Sequence, residues 1–206
     1  MIWEKYWPET LRRAIQRAMD RRKRIVAETG GDNYYTSAVP SDFWKRGWGG
    51  NDGASEELIQ INEARLGVVL PPSYRTFLQV SNGWWGLDWH VPHLLPVEEI
   101  DWFRKNYQDW ITAFVEPWQE AGSPPVPDEE YFEYGPKQQP AAMRVEYMAD
   151  ALAVSADFDG AIVLLNPRIT FPGDEWEAWL FASWFPGATR YRSFRDLVQR
   201  CIEHPR

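Results

Sequence analysis

Residues 61–83 read Ile61-Asn62-Glu63-Ala64-Arg65-Leu66-Gly67-Val68-Val69-Leu70-Pro71-Pro72-Ser73-Tyr74-Arg75-Thr76-Phe77-Leu78-Gln79-Val80-Ser81-Asn82-Gly83. The spacing predicts two short helices joined by a tight connection. Leu58, Ile61, Ala64 and Arg65 fall on one helical face, with Ile59 and Leu66 flanking it. Ser55 stands where an N-cap is needed, and Glu56 and Glu57 suit the positive end of the helix behind it. Gly67 can adopt the left-handed backbone that stops a helix. Pro72 can open the next one, where its missing N–H costs nothing. Tyr74, Phe77 and Leu78 face inward, and Asn82-Gly83 ends the pattern. These roles are conformational, so the segment reads as scaffold and not as chemistry.

Towards the N-terminus, Pro8-Glu9-Thr10 opens a longer amphipathic pattern. Leu11, Ala14, Ile15, Ala18, Ile25 and Val26 recur at helical spacing, Arg12, Arg13, Arg17, Arg21 and Arg24 fill the other positions, and Gly30-Gly31 ends it. Asp20 and Glu28 dilute any membrane-surface reading. Residues 31–53 read as a connector whose interleaved aromatics pin it down. Its Gly47-Trp48-Gly49-Gly50-Asn51-Asp52-Gly53 lacks the Gly-Lys-Ser/Thr ending of a phosphate loop.

Towards the C-terminus, Trp84 to Leu95 suits short strands and Val97 to Trp110 a helix. Residues 120–141 hold Pro124, Pro125, Pro127, Pro136 and Pro140 and three successive acids, and predict a long exposed or partly disordered insertion. Ala151–Ser155, the turn Asp157-Phe158-Asp159-Gly160 and the apolar run Ala161–Leu165, stopped by Asn166-Pro167, predict a hairpin. Another strand spans about 176–184. It places Trp176, Ala178, Leu180, Ala182 and Trp184 on one face, expected in the core, and Glu175, Glu177, Trp179, Phe181 and Ser183 on the other. Ser193 caps a closing helix through Phe194, Leu197, Val198 and Cys201. Helices, then antiparallel strands, then a helix make an α+β fold. The expected organisation is an N-terminal helix and connector over 1–53 and a single α+β domain over 54–206, with an antiparallel-rich sheet flanked by helices.

Composition narrows the function. The chain has 206 residues, 44% of them hydrophobic, which is enough apolar surface to bury a core. One cysteine excludes an intramolecular disulfide or a multi-cysteine zinc site. Apolar runs such as Ala161–Leu165 are too short to span a bilayer, and Met1-Ile2-Trp3-Glu4-Lys5 has no signal-peptide pattern, so the expected place is the cytoplasm. The net charge of -8 argues against direct nucleic-acid binding. That acidity is local. Residues 98–177 carry seventeen acids and five bases, while residues 1–30 carry four and eight. A block of one sign steers a partner of the other. Thirteen tryptophans, against roughly two or three at ordinary composition, indicate a heavy core, a sticky face, or both.

The segment 61–83 closely resembles the entry motif of the SUKH superfamily, in the branch related to the yeast cell-wall assembly regulator. That motif is a helix ending in Glu-x-x-Leu-Gly, then Leu-Pro, a Tyr-x-x-Phe-Leu helix, and Asn-Gly. Leu94-Leu95-Pro96-Val97-Glu98-Glu99-Ile100, Asp159-Gly160 with Val163-Leu164-Leu165-Asn166-Pro167, and Ser193-Phe194-Arg195-Asp196-Leu197-Val198 are similar to later family features. The likeness covers roughly residues 54–203. It implies protein binding: bacterial members mostly neutralise a cognate secreted toxin, often a nuclease or nucleotide-modifying domain, and the fungal member acts in cell-wall signalling. It implies neither an enzyme nor a cofactor.

The residue types offer little chemistry to set against this. His90 and His93 lack further ligands, Cys201 continues an apolar helix face beside His204, and no pair of carboxylates stands out for glycoside hydrolysis. The expected partner is a cognate toxin. The expected contacts are Glu98, Glu99, Asp101, Asp128, Glu129, Glu130, Tyr131, Glu133, Asp157, Asp159, Asp174, Glu175 and Glu177, with Trp85, Trp89 and Trp102 as anchors. The alternative is a non-catalytic regulatory module of the cell-wall assembly regulator type. Oligomeric state stays open.

Overall fold

A computed structural model describes residues 3–88, 91 and 93–203, with side chains from residue 6 onward. The chain divides into two compact units, one of residues 1–99 with 198–206, the other of residues 100–197.

In the first unit, helix α1 (Trp3–Thr29) starts five residues earlier than Pro8 predicts. Trp7 is fully buried, donates its indole N–H to Thr76 at 3.0 Å and meets Phe77 edge-on. That burial holds the turn ahead of Pro8, which stands at the sixth helical position and offers no N–H to the carbonyl four residues back. Leu11, Ala14, Ile15, Ala18 and Ile25 are buried as the periodicity requires. The expected connector contains two short helices, α2 (Tyr34–Ser37) and α3 (Ser41–Arg46). Asn33 and Thr36 form a reciprocal capping box. Phe43 and Trp44 are buried, Trp48 packs edge-on to Trp84, and Gly50 bridges to Trp84, so the aromatics do pin this segment.

Helices α4 (Glu56–Leu66) and α5 (Pro72–Val80) follow the sequence reading closely. Ser55 caps α4 through the Leu58 N–H at 3.1 Å, and Gly67 ends it at φ 73°. The buried face differs from the expected one. Ile59, Asn62, Glu63 and Leu66 are inside, while Ile61 is 58% exposed. Glu63 explains the rotation. Its carboxylate accepts from the Leu70 N–H at 2.9 Å and from Arg75 Nε at 3.0 Å, tying the α4–α5 connection shut. A polar residue with good partners therefore displaces an apolar one from the inner face. Strands β1 (Trp84–Trp85) and β2 (His93–Leu94) pair antiparallel.

The second unit is built on an antiparallel sheet of strands β3 (Asp101–Trp102), β4 (Leu152–Ala153), β5 (Ala161–Phe171), β6 (Glu175–Ala182) and β7 (Gly187–Tyr191), in that order. The expected helix over 97–110 is not helical at its start, where 97–99 form a turn that leads into β3. The helix begins only after β3, as α6 (Phe103–Asn106) and α7 (Gln108–Glu120), with a short α8 (Asp128–Tyr131) beyond. Phe103, Ile111, Met143, Met148, Ile162, Leu164, Trp179 and Phe181 form one core on one face of the sheet. Strand β5 does not stop at Asn166-Pro167 but continues to Phe171 through an irregularity between Asn166 and Thr170. A bulge accommodates a proline in a ladder. On β6 both faces are buried, so Trp179 belongs to the core, while Trp184 lies past the strand end and is 57% exposed. The closing helix α9 (Phe194–Glu203) begins as predicted, with Ser193 Oγ accepting the Asp196 N–H at 3.1 Å.

Candidate functional site

The Pro-rich stretch 120–141 is not a loose insertion. Its centre is fastened to the sheet by a buried polar network. Glu177 and Arg190, both with fully buried side chains, face each other from β6 and β7 at 3.8 Å. Glu177 accepts from Tyr131 Oη at 2.6 Å, Tyr134 Oη at 2.6 Å, Trp179 Nε1 at 2.7 Å and Asn166 Nδ2 at 3.0 Å. Arg190 donates to the Tyr131 carbonyl and lies 4.3 Å from the centre of that ring. Burial, followed by the charge of Glu177, pushes both tyrosine hydroxyls well above their ordinary range, so both stay protonated donors.

Two further contacts complete the fastening. Gln138 donates to the Arg190 carbonyl at 2.9 Å and accepts the Arg190 N–H at 2.6 Å, and the Pro140 carbonyl accepts the Ala188 N–H at 3.2 Å. The insertion thus covers the β7 edge, which would otherwise present unpaired backbone. Gly187 permits the approach, since a Cβ there would stand 2.1 Å from the Pro140 carbonyl oxygen. At the other end of the segment, Arg144 pairs with Asp128, donates to the Val126 carbonyl at 3.0 Å and lies over the Tyr131 ring at 4.4 Å.

This fastening sorts the expected contact residues. Asp128, Glu129, Glu130 and Glu133 are exposed on a fixed backbone. Tyr134 packs edge-on to Phe171, beside the β5–β6 turn that carries exposed Asp174 and half-buried Glu175. These six acids share one end of the long hairpin, with Phe132, 39% exposed, among them. Asp157 and Asp159 lie at its opposite end, in the β4–β5 turn, where the Asp159 carbonyl accepts the Trp184 indole N–H at 2.7 Å. Burial, with the charge of Asp159 adding to it, raises the Asp157 carboxyl above its ordinary value. The two sets are separated by the length of an eleven-residue strand, roughly 35 Å.

The remaining expected contacts lie elsewhere. Asp101 is held by Lys105 at 2.5 Å, and Trp102 is half-buried with the Arg104 guanidinium 5.3 Å from its ring centre. In the first unit, Glu98 and Glu99 are exposed, Glu98 accepting from Asn82 at 2.8 Å. Trp85 stacks flat on His93 at 3.7 Å. Burial lowers the His93 imidazole to about 4. Trp89, His90 and His204 lie outside the described residues.

Two expected contacts are corrected outright. Tyr131 and Glu177 are fully buried and are anchors of the surface, not part of it. The signal was present for Glu177, because alternation puts it on the same β6 face as Trp179 and Phe181, and a carboxylate on an apolar face must be paired. For Arg190, Gln138 and Tyr134 the sequence carries no comparable mark. Among the described residues no group of three or more His, Cys, Asp or Glu is placed to hold a metal ion, and no helix is long and apolar enough to cross a membrane.

The sequence pattern of the SMI1/KNR4 family (SUKH-1) matches residues 53–200, which is α4 through most of α9 and leaves α1 to α3 outside it. No individually curated protein matches the chain. The α4–α5 motif with its Glu63 tie, the β4–β5–β6 hairpins and the Ser193-capped last helix all lie inside the matched span, and on that match the chain belongs to the SMI1/KNR4 family (SUKH-1).

Proposed function

We propose that this protein is a non-catalytic immunity protein that binds and neutralises a cognate bacterial toxin. In this reading the contact surface is the acidic end of the second unit, formed by Asp128, Glu129, Glu130, Glu133, Asp174 and Glu175 around Phe132. The observation that carries the reading is the fastening of that acidic segment by the buried Glu177–Arg190 network. A solvating loop needs no such anchor. A docking surface gains from one, because order already present in the free protein need not be created on binding. Family membership supports a protein partner. The charge favours a basic one, such as the phosphate-binding cleft of a nuclease, where carboxylates compete for the positions of phosphates.

A second reading, a regulatory interaction module, is favoured by α1, whose basic face lies outside the span shared with the family. Co-expression with the product of the neighbouring gene separates the two. A one-to-one complex that restores growth to cells poisoned by that product supports immunity. Absence of both complex and rescue removes it and leaves the regulatory module.

A further inference from the structure

The first unit holds a cavity of about 330 Å3 that the toxin-binding reading does not use. One wall is Arg17, Arg21 and Arg24 of α1, and the rest includes Leu87, Cys201 and Ile202. Positions i, i+4 and i+7 put the three guanidinium stems on one helical face, with neighbouring Cβ atoms roughly 5–6 Å apart. Arg17 donates one N–H to the Ile202 carbonyl near the end of α9, which leaves most of its five donors for other use. Burial lowers the pKa of Arg21, and the like charge of Arg24 acts in the same direction, while Asp88 opposes both. Among the described residues two carboxylates face these three cations: Asp88, and Asp20, which lines the cavity and accepts from Gln16 at 3.1 Å. The described lining is therefore net positive, rich in groups that only donate, and apolar on its far side.

We infer that this cavity binds a small organic oxyanion, with its charged group between Arg17, Arg21 and Arg24 and a short apolar body against Leu87, Cys201 and Ile202. A guanidinium array of this kind holds a phosphate or carboxylate by paired N–H donors, which water or a bare chloride cannot match. The apolar wall adds selectivity. Each CH2 placed on it contributes about a fourfold gain in affinity, so hexyl phosphate binds at least about tenfold tighter than inorganic phosphate. The inference does not depend on the toxin reading, and either can fail without the other.

The test is calorimetric titration of the full chain with inorganic phosphate, hexanoate and hexyl phosphate. R24Q and R17Q probe the site, and R46Q, a change in α3, is the control. Arg24 is exposed, so R24Q keeps the circular dichroism spectrum and still loses about tenfold in affinity, as does R17Q, while R46Q loses none. Hexanoate and hexyl phosphate carry chains that differ by one CH2, worth about fourfold, so a larger difference between them reports which oxyanion is preferred. Two results overturn the inference: no heat from any of the three at about 10 mM, or affinity unchanged in both R24Q and R17Q.

Discussion

Replacing Glu177 with leucine removes the acceptor of four hydrogen bonds and the carboxylate that faces a fully buried guanidinium. Leucine has nearly the same volume, so the loss is electrostatic and not a cavity. Arg190 is then a buried charge without its counter-ion, and breaking such a pair from one side costs about 4 kcal/mol. At roughly 2–4 °C per kcal/mol for a chain of this length, the melting temperature falls by about 8–16 °C. Urea unfolding followed by tryptophan emission measures it, since Trp179 sits in the network itself. A cycle isolates the cause. Tyr134→Phe alone deletes a hydrogen bond to a charged group and costs about 1.5–3 kcal/mol. In the Glu177→Leu background the same change costs almost nothing, because its partner has gone. Glutamyl endopeptidase gives a local readout, with faster cleavage after Glu129, Glu130 and Glu133 in the variant. A Glu177→Leu protein within about 1 kcal/mol of the parent, or a Tyr134→Phe cost equal in both backgrounds, refutes the network as the anchor.

Three further outcomes are expected. Glu63→Ala leaves the Leu70 N–H and Arg75 Nε without their acceptor, while Glu56 keeps the other two guanidinium nitrogens, and destabilises by about 2–3 kcal/mol in denaturant titration, whereas Ile61→Ala on the exposed side of the same helix changes stability by less than about 0.5 kcal/mol. His93 titrates with an NMR midpoint near 4, below the ordinary value of 6.5. The folded state therefore resists a proton that the unfolded chain accepts, stability is lost as pH falls from 6.5 towards 4, and His93→Phe keeps the stack on Trp85 while removing that part of the slope. Gly187→Ala drives a Cβ into the Pro140 carbonyl at a positive φ, so the insertion detaches from β7, seen as faster amide exchange at Ala188 and Arg190.

What was legible in the sequence follows from local physics. Ser55, Gly67, Pro72 and Ser193 act through their own backbone, so their positions announced where helices start and stop, and each stands where it was expected. The hairpin and the α+β class followed from period and order. Three other features were not legible, because tertiary partners set them. Trp7 extends α1 past a proline by packing on α5, Glu63 turns the inner face of α4, and a bulge lets β5 run through Pro167. The acidic insertion misled most. Its prolines and charges read as an exposed loop, yet Tyr131, Tyr134 and Gln138 meet residues some forty to fifty positions downstream, which no window of sequence displays. Alternation places Trp184 inside, but the strand ends at Ala182 and the turn carries it outward.

The most direct test of the central claim is the salt dependence of association between the partner captured by co-expression and two forms of this chain, the parent and Glu129→Lys/Glu130→Lys/Glu133→Lys, which spares the Asp128–Arg144 pair. The account predicts an association rate at least tenfold lower for the triple variant at low ionic strength, converging on the parent at about 0.5 M salt, with an unchanged fold. Equal rates for the two proteins at low salt would contradict it and move the contact surface away from the anchored acidic end.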